Sequence, residues 1–385
     1  MTFKKFKANQ IFTGVQLLPN NYVLITDENG CVQNIVDEKD AGDEVQLFEG
    51  ILTPGFINAH CHLELSHLKN CIPQHTGLTN FIVEILQKRN ATEFHILQQI
   101  EAAENEMLAN GIVAVGDICN TTFTLAQKKL NKLYYYNFIE VSGWHPSIAT
   151  TRYNNALCNL QQFSTLPITH HRSSLVPHAP YSVSNELWKL LHPNFHQKAI
   201  TIHNQESLEE DKLFKNNTGN FVSMYQQLGI SHNHFIPTAT SSIQSYLPQI
   251  NNAHQLILVH NTFISHNDII AVNHQLQNAF WCICINANLY IENSLPPLET
   301  LQKNNCSIVI GTDSLASNTA LSVLHEIKTI RYHFPSISLP KILQWATLNG
   351  AIALQLQDKL GSFEKGKTPG INCIDENLQQ VKKIL

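Results

Sequence analysis

Apolar and polar positions along the chain separate two kinds of segment. Eight short runs are almost continuously apolar and rich in β-branched residues, as is typical of strands covered on both faces. These runs begin at Gly55, Ile112, Tyr134, Ser173, Ala199, Gln255, Phe280 and Cys306. Longer stretches with the period of an amphipathic helix begin at Leu78, Ile96, Leu321 and Leu339. This alternation predicts an α/β fold, and specifically a (β/α)8 TIM barrel.

The two ends of the chain have a different pattern. The first fifty residues contain short strand-like segments separated by Asn-Gly-type turns, which is typical of β-hairpins. The tail from Gly361 is rich in turns in the same way. We therefore predict a small β-sandwich domain built from residues 1–52 and 361–385, beside a barrel formed by residues 53–360.

Composition narrows the classes of function. The 385 residues are 43% hydrophobic and only 14% charged, which indicates a large core. A net charge of -5 gives no basic surface for nucleic acid. The sequence shows no apolar run of membrane-spanning length and no signal-peptide stretch at its start, so we expect no membrane partner. Nine cysteines without a framework spacing favour a reducing cytoplasm.

Histidine and acidic residues fall at the ends of the predicted strands, where a barrel of this type has its active site. These residues are His60 and His62 after the first run, His178 after the fourth, His203 after the fifth, His260 after the sixth and Asp313 after the eighth. Three or four such ligands with an open position form a catalytic metal site, in which the pKa of a bound water falls to roughly 7. Glu206 would then carry a proton to the leaving group, and His260 would orient the water or stabilise the developing anion.

Each residue alone has a simpler explanation. The His60–His62 pair is also compatible with packing or surface placement, His203 and His260 with ordinary core histidines, His178 and Asp313 with loop or helix caps, and Glu206 with a solvated loop. All of them nevertheless occur at strand ends of one architecture. This shared placement favours the metal site.

Five motifs carry a resemblance to a known family. PGFINAHCHLELS, VPHAPYSVS, IHNQES, LVHNT and GTDSLASN occur in this order and resemble the amidohydrolase superfamily. The most similar branch contains guanine, cytosine and adenosine-type deaminases and chlorotriazine hydrolases. The string HCHLELS is also similar to that of aminodeoxyfutalosine deaminases. The resemblance extends over nearly the whole chain.

The resemblance implies a role for each of these residues. It makes His60, His62, His203 and Asp313 the metal ligands, with Asp313 also taking a proton from the bound water. It makes Glu206 the residue that protonates a ring nitrogen and passes a proton to leaving ammonia, and His260 the residue that positions the hydroxide. It places Glu64 and His178 in contact with substrate. For Glu64, an ion pair with Lys69 is the alternative.

The resemblance also bears on the number of metal ions. Binuclear members use a carboxylated lysine after the fourth strand, but no lysine occurs between Lys132 and Lys189. One divalent metal is therefore expected, either zinc or iron. One position departs from the family pattern, because Ile285 stands where a proline is expected before Asn286 and Asn288. This departure affects recognition of the substrate ring.

Three functions follow from these observations. The first is a metal-dependent deaminase that releases ammonia from a purine-like heterocycle, a small-molecule substrate. The second is hydrolysis of a C–Cl, C–S or cyclic amide bond at the same site. The third is a non-catalytic scaffold, which would have lost ligands that this sequence retains. The superfamily often forms dimers, so a homodimer is one expectation.

Overall fold

The computed structural model describes residues 2–385, which contain seventeen β-strands and fourteen α-helices. The strands are β1 (Phe3–Lys7), β2 (Gln10–Phe12), β3 (Leu17–Leu18), β4 (Tyr22–Asp27), β5 (Val32–Asp37), β6 (Val45–Leu47), β7 (Ile51–Pro54), β8 (Phe56–Cys61), β9 (Ile112–Cys119), β10 (Tyr134–Val141), β11 (His171–Pro177), β12 (Ala199–Asn204), β13 (Gln255–His260), β14 (Ala279–Ile283), β15 (Ser307–Ile310), β16 (Ile371–Ile374) and β17 (Val381–Lys383). The helices are α1 (Leu78–Lys88), α2 (Glu93–Ala109), α3 (Leu125–Lys128), α4 (Ala149–Phe163), α5 (Asn185–Leu191), α6 (Leu208–Asn216), α7 (Asn220–Gln227), α8 (Ser242–Tyr246), α9 (His266–Gln275), α10 (Ile285–Glu292), α11 (Leu298–Lys303), α12 (Val323–His333), α13 (Leu339–Gln344) and α14 (Gly350–Ala353).

The eight predicted apolar runs each contain one strand, from β8 to β15. These strands form two four-stranded sheets, with the orders β11-β10-β9-β8 and β12-β13-β14-β15. Every neighbouring pair is parallel. All residues of β8, β12 and β13 are buried, as expected of strands with both faces covered. The predicted α/β class with parallel strands is confirmed.

The two parallel sheets contact each other at both outer edges. On one side the backbone N–H of His203 donates to the carbonyl oxygen of His178 at 3.0 Å. On the other side the backbone N–H of Asp313 donates to the carbonyl oxygen of His60 at 3.1 Å, and Cys61 forms a parallel bridge with Asp313. These bonds join the carboxyl ends of the edge strands, so the residues after those strands lie close together.

The two ends of the chain also join. β16 pairs antiparallel with β7 in a five-stranded sheet of order β17-β16-β7-β2-β3. The remaining N-terminal strands form a four-stranded sheet of order β5-β4-β1-β6. One apolar cluster contains buried side chains from both ends of the chain, including Phe6, Leu24, Leu52, Phe363 and Ile371. The N-terminal strands and the C-terminal tail therefore share sheet hydrogen bonds and a core.

The predicted helices are present, with one interruption. α2 begins after Thr92, whose hydroxyl accepts a hydrogen bond from the backbone N–H of His95 at 3.4 Å, and the chain turns at Gly111 with φ 72°. The pattern from Leu339 gives α13 and α14 with a π-helical turn, Trp345–Asn349, between them. Gly350 follows that turn against β8, where a Cβ atom would lie 2.7 Å from Cβ of Ile57. The close approach explains why the sequence has glycine there.

The cysteines are free thiols, as their spacing in the sequence predicted. All nine cysteines are free. Cys282 and Cys284 are buried, and a Cβ atom added to Gly311 would lie 2.9 Å from each sulfur. These two cysteines are thus tightly packed core residues. Within residues 2–385, the helices are all too short or too polar to cross a lipid bilayer.

Candidate active site

Four side chains from the ends of the parallel strands form a compact group. The ligand atoms of His60, His203, His260 and Asp313 all lie within 4.8 Å of one another, and all four residues are buried. His62 lies beside this group, with its Nε2 atom 3.2 Å from Nε2 of His203 and 3.3 Å from Oδ1 of Asp313. All five predicted residues therefore meet at one place. The four-membered group contains His260, which the sequence analysis did not place among the ligands.

The polar atoms of this group are suited to a cation. Neither ring nitrogen of His60 makes a hydrogen bond of acceptable geometry within residues 2–385, although Nε2 lies 3.5 Å from Oδ1 of Asp313. Nδ1 of His62 is likewise without a partner in that range. Buried polar atoms are rarely left unpaired, so such atoms indicate a missing partner. Imidazole nitrogens around one carboxylate fit a divalent metal ion such as zinc.

Hydrogen bonds fix the orientation of two imidazole rings. Nδ1 of His203 lies 2.7 Å from the carbonyl oxygen of His178, and Nδ1 of His260 lies 2.9 Å from Oδ1 of Asn288. Because a carbonyl oxygen only accepts, each Nδ1 atom carries the proton. The Nε2 atom of each ring is therefore left with its lone pair, as metal-binding histidines require.

Burial keeps these histidines neutral. It lowers the pKa of His62 to about 3 and that of His260 to about 4. The pKa of His203 is also held well below its ordinary value by burial and by neighbouring histidines. Burial alone would raise the pKa of Asp313, but the nearby imidazoles of His60, His62 and His260 outweigh it and hold that pKa well below normal. At neutral pH the group thus offers imidazole lone pairs and one carboxylate.

Asp313 follows β15 in an unusual backbone conformation. Its φ angle is 58°, and that of His260 is 74°, both in the left-handed region that non-glycine residues seldom adopt. Ser317 donates a hydrogen bond to Oδ2 of Asp313, so Oδ1 is left facing the histidines. Strained residues at a site of this kind are typical of functional positions, where the surrounding structure holds them. The next helix, α12, is capped by Ser322, so Asp313 is not its cap.

Glu206 is buried next to the group. It is 3% exposed, and its Oε2 atom lies 3.6 Å from Nε2 of His260. Burial raises its pKa well above the ordinary value for a glutamate, and the negative charges of Asp313 and Glu210 add to the effect. Its backbone N–H donates to Oε1 of Glu210 at 2.8 Å, which fixes the chain at this point. Glu206 is therefore not a solvated loop residue.

Glu64 is held by the segment that follows β9. Its carboxylate accepts hydrogen bonds from Thr121 N (2.9 Å), Thr121 Oγ1 (2.7 Å) and Asn120 N (3.2 Å). Lys69 lies 3.8 Å from Glu106 instead, so the alternative of a Glu64–Lys69 ion pair is wrong. Glu64 and the site are linked by Asn120, whose side-chain amide donates to Oε2 of Glu140 at 3.0 Å.

His178 and Glu140 lie on the other side of His203. Nδ1 of His178 is 2.7 Å from the hydroxyl of Ser182, and burial lowers the pKa of His178 to about 4. Ligand atoms of Glu140, His178 and His203 lie within 4.8 Å of one another. Burial raises the pKa of Glu140 to about 7. The structure thus brings His178 to the histidine cluster, next to a glutamate that the sequence analysis did not single out.

A buried ion pair supports the segment after His62. Lys128 and Asp117 are both fully buried, with Nζ of Lys128 2.5 Å from Oδ2 of Asp117. Oδ1 of Asp117 accepts a hydrogen bond from the backbone N–H of Leu63 at 2.9 Å. Burial opposes the charge of Lys128, but Asp117 outweighs it and raises the pKa of the lysine. Asp117 thus joins the buried side chain of Lys128 to the backbone next to His62.

We expect Lys128→Met to lower the free energy of unfolding by about 3–5 kcal/mol, because it leaves the charge of Asp117 buried without its partner. Urea titration followed by circular dichroism measures the change. Lys359→Met is the matched control, since Lys359 is exposed and lies over the ring of Tyr134 at 5.6 Å. The control should change stability by less than about 0.5 kcal/mol. Equal effects of the two substitutions would contradict a stabilising role for the buried pair.

Ile285, the departure from the family pattern, is the first residue of α10. Proline is favoured at such a position because its missing N–H is not needed inside the helix. Here the carboxylate of Glu326 lies at the start of α10. It accepts hydrogen bonds from the backbone N–H and the side-chain amide of Asn286, at 3.2 and 2.7 Å. The backbone N–H of Ile285 also helps to lower the pKa of Glu326, which burial raises to about 7. Ile285 thus supplies a donor that proline lacks.

Three contributors to the site were not identified from the sequence. Glu140 lies next to the last residue of the strand in the third apolar run, as His60 does in the first, so the same rule would have found it. Asn288 was noted as part of a motif, but its bond to His260 joins residues 28 positions apart. Asp117 lies at the end of the second run, yet its partner Lys128 is on α3. Long-range side-chain pairs of this kind leave no periodic signal.

Comparisons with known proteins place the chain in a family. Residues 51–384 match the amidohydrolase family, so the chain belongs to it. Its curated relatives include an adenosine deaminase of Helicobacter pylori, 28% identical over 346 residues, with 88% of this chain and 83% of that protein covered. They also include a 5-methylthioadenosine/S-adenosylhomocysteine deaminase of Saccharophagus degradans, 26% identical, with 89% and 75% covered. The predicted resemblance to the family and to its deaminase branch is confirmed.

Solved structures agree with this result. The aminofutalosine deaminase of Helicobacter pylori in complex with methylthio-coformycin superposes with a TM-score of 0.83 and 26% identity, covering 97% of this chain and 92% of that chain. An adenosine deaminase from Xanthomonas campestris has a TM-score of 0.75 at 18% identity, with 96% and 84% covered. The latter likeness concerns the fold alone.

Proposed function

We propose that the two parallel sheets close into one (β/α)8 barrel of residues 53–360, and that residues 1–52 and 361–385 form a small β-sandwich domain beside it. The hydrogen bonds that join His203 to His178 and Asp313 to His60 across the sheet edges support closure. The antiparallel pairing of β16 with β7 supports a single terminal domain. The carboxyl ends of the strands would then surround the histidine cluster.

We propose that the protein is a metal-dependent aminohydrolase that replaces an exocyclic amine of a purine-like ring by oxygen and releases ammonia. One observation carries the proposal: a buried glutamate, Glu206, lies next to a buried cluster of histidines and one aspartate. The cluster would hold the metal, and the glutamate would handle the proton that the reaction must move. The nine free thiols support a reducing, cytoplasmic compartment.

His60, His62, His203 and Asp313 would hold one divalent metal ion. Zinc is our first choice because it favours a set rich in histidine nitrogens, and iron is the alternative. When bound, the ion supplies Lewis-acid activation of water at neutral pH. His260 would help to position the nucleophile, because Asn288 holds its ring with Nε2 facing Glu206. These assignments make His62 a ligand even though it lies at the side of the four-membered group.

The chain's own residues would carry the protons. Asp313, which is ionised, would accept the proton that the nucleophile loses. Burial raises the pKa of Glu206 and so favours its protonated form, which would donate to the ring nitrogen beside the reacting carbon. The carboxylate of Glu206 would then take the hydroxyl proton from the addition product and pass it to the leaving amine, which departs as ammonia. The proton held by Asp313 would restore Glu206.

We propose a 6-aminopurine nucleoside or a close analogue as substrate. The relatives named above act on adenosine, methylthioadenosine or aminofutalosine, and each of these names denotes a 6-aminopurine joined to a sugar. His178 would contact the substrate near the histidine cluster, and Glu64 would contact it on the side of β9. No partner other than a small molecule is part of the proposal.

The test is an assay for ammonia and for the ultraviolet change of the purine. Purified, zinc-loaded protein is mixed with adenosine, 5′-deoxyadenosine, 5′-methylthioadenosine and aminodeoxyfutalosine, with guanine and cytosine as other amines. We expect ammonia and the matching spectral change with at least one nucleoside. Loaded protein that releases no ammonia from any of these amines would overturn the proposal.

A further inference from the structure

Glu140, at the end of β10, has one carboxylate oxygen without a hydrogen-bond donor. The residue is 9% exposed, and Asn120 donates to its Oε2 atom at 3.0 Å. The Oε1 atom is buried and has no hydrogen-bond partner within residues 2–385. A buried acceptor without a donor is costly, so this oxygen is suited to receive a donor from outside the chain.

The nearest ring nitrogen cannot fill this role. Nδ1 of His203 lies 3.7 Å from Oε1 of Glu140, but it lies 2.7 Å from the carbonyl oxygen of His178 and donates its proton there. The same bond argues against a second metal beside Glu140. A metal would need the lone pair of that nitrogen, and the nitrogen carries a proton instead.

His178 lies beside the same oxygen. Ligand atoms of Glu140, His178 and His203 lie within 4.8 Å of one another, and Nδ1 of His178 is 2.7 Å from the hydroxyl oxygen of Ser182. A group that reaches the free oxygen of Glu140 would therefore lie next to the imidazole of His178.

Glu64, on the other side of Asn120, differs in this respect. Its carboxylate already receives donors from the backbone and side chain of Thr121 and from the backbone of Asn120. Asn120 contacts both Glu64 and Glu140. Of these two glutamates, only Glu140 has a buried oxygen that lacks a hydrogen-bond partner within residues 2–385. Glu140 is thus the better candidate for a direct bond to a ligand hydroxyl.

We propose that Glu140 is a specificity-determining residue whose free oxygen accepts a hydrogen bond from a sugar hydroxyl of the substrate. The inference rests on the proposed function. In a 6-aminopurine nucleoside the exocyclic amine is the reacting group, and the other ring nitrogens are acceptors. The sugar hydroxyls are then the remaining donors. Glu140 would therefore select ribonucleosides over analogues that lack one of these hydroxyls.

The experiment compares kcat/KM for adenosine, 2′-deoxyadenosine and 3′-deoxyadenosine in the wild type and in Glu140→Gln. We expect kcat/KM of the wild type to be at least about tenfold lower with one of the two deoxynucleosides, mostly through KM, because the hydrogen bond to the buried oxygen of Glu140 is lost. In Glu140→Gln, kcat/KM for adenosine and for that deoxynucleoside should agree to within about threefold. Metal content and melting temperature of the variant show whether it is folded and loaded.

Glu376→Gln is the matched control, because Glu376 is exposed and far along the chain in the terminal sheet region. It should keep the wild-type preference. The inference is overturned if Glu140→Gln also keeps that preference, or if the wild type does not distinguish the three nucleosides. With either outcome, release of ammonia from the nucleosides would still support the proposed function. No turnover of any nucleoside by loaded wild type would overturn the proposed function and this inference together.

Discussion

Replacing Glu206 by glutamine is expected to lower kcat by about 10²–10⁴-fold while the protein keeps its metal. The amide has nearly the same shape but cannot transfer a proton, so proton delivery to the ring and to the amine fails together. Substrate binding should change much less, because the lost interaction acts in the transition state. Steady-state kinetics, metal content per chain and binding of a non-reacting purine nucleoside measure the three quantities separately.

The exposed Glu376→Gln is again the control, and it should match the wild type in all three measurements. A second variant, Glu206→Asp, keeps the acid but shortens its reach, so its kcat should lie between those of the wild type and Glu206→Gln. Were Glu206→Gln to retain more than about a tenth of the wild-type kcat, proton transfer would have to come from another residue. A loss of bound metal in that variant would instead indicate a structural role.

The site explains why a carboxyl group at this position is suited to act as an acid. Glu206 is buried, and the ionised Asp313 lies close enough to raise its pKa further. Asp313 itself is held ionised by His60 and the other imidazoles. Two carboxyl groups in one cluster thus have pKa values displaced in opposite directions, a pattern that separates an acid from a base.

The sequence predicted the strands well because their pattern is local. Continuous burial of β8, β12 and β13 requires unbroken apolar runs, and such runs are visible without any knowledge of the fold. The rule that polar residues at strand ends meet was also enough to bring His60 and His203 together, although 143 positions separate them. Because the strands are parallel, residues that follow different strands along the chain lie at the same edge of the sheets.

The sequence could not predict which atoms are left free. The orientation of His260 depends on Asn288, and the oxygen of Glu140 is free because the proton of His203 goes to the carbonyl oxygen of His178. These are choices among several possible partners in three dimensions, and no spacing along the chain encodes them. The π-helical turn at Trp345–Asn349 was also not predicted, because the apolar pattern from Leu339 is that of a continuous helix.

Removal of the metal should abolish turnover, and one equivalent of zinc should restore it. We expect dialysis against dipicolinate to leave less than about a hundredth of the activity, because water is then no longer activated at neutral pH. The melting temperature should fall at the same time, since a ligand bound only by the folded state stabilises that state. Unchanged activity in protein shown to be free of metal would refute the metal-dependent mechanism.

Single substitutions then separate the roles of His62 and His260, which lie on different sides of the cluster. If His62 is a ligand and His260 is not, His62→Ala should lower metal affinity by more than about 100-fold, beyond what is usual for loss of an outer partner. His260→Ala should bind metal with nearly wild-type affinity yet turn over slowly. His274→Ala, which removes an exposed histidine, should change neither quantity. The reverse result would make His260 the fourth ligand in place of His62, together with His60, His203 and Asp313, whose ligand atoms all lie within 4.8 Å of those of His260.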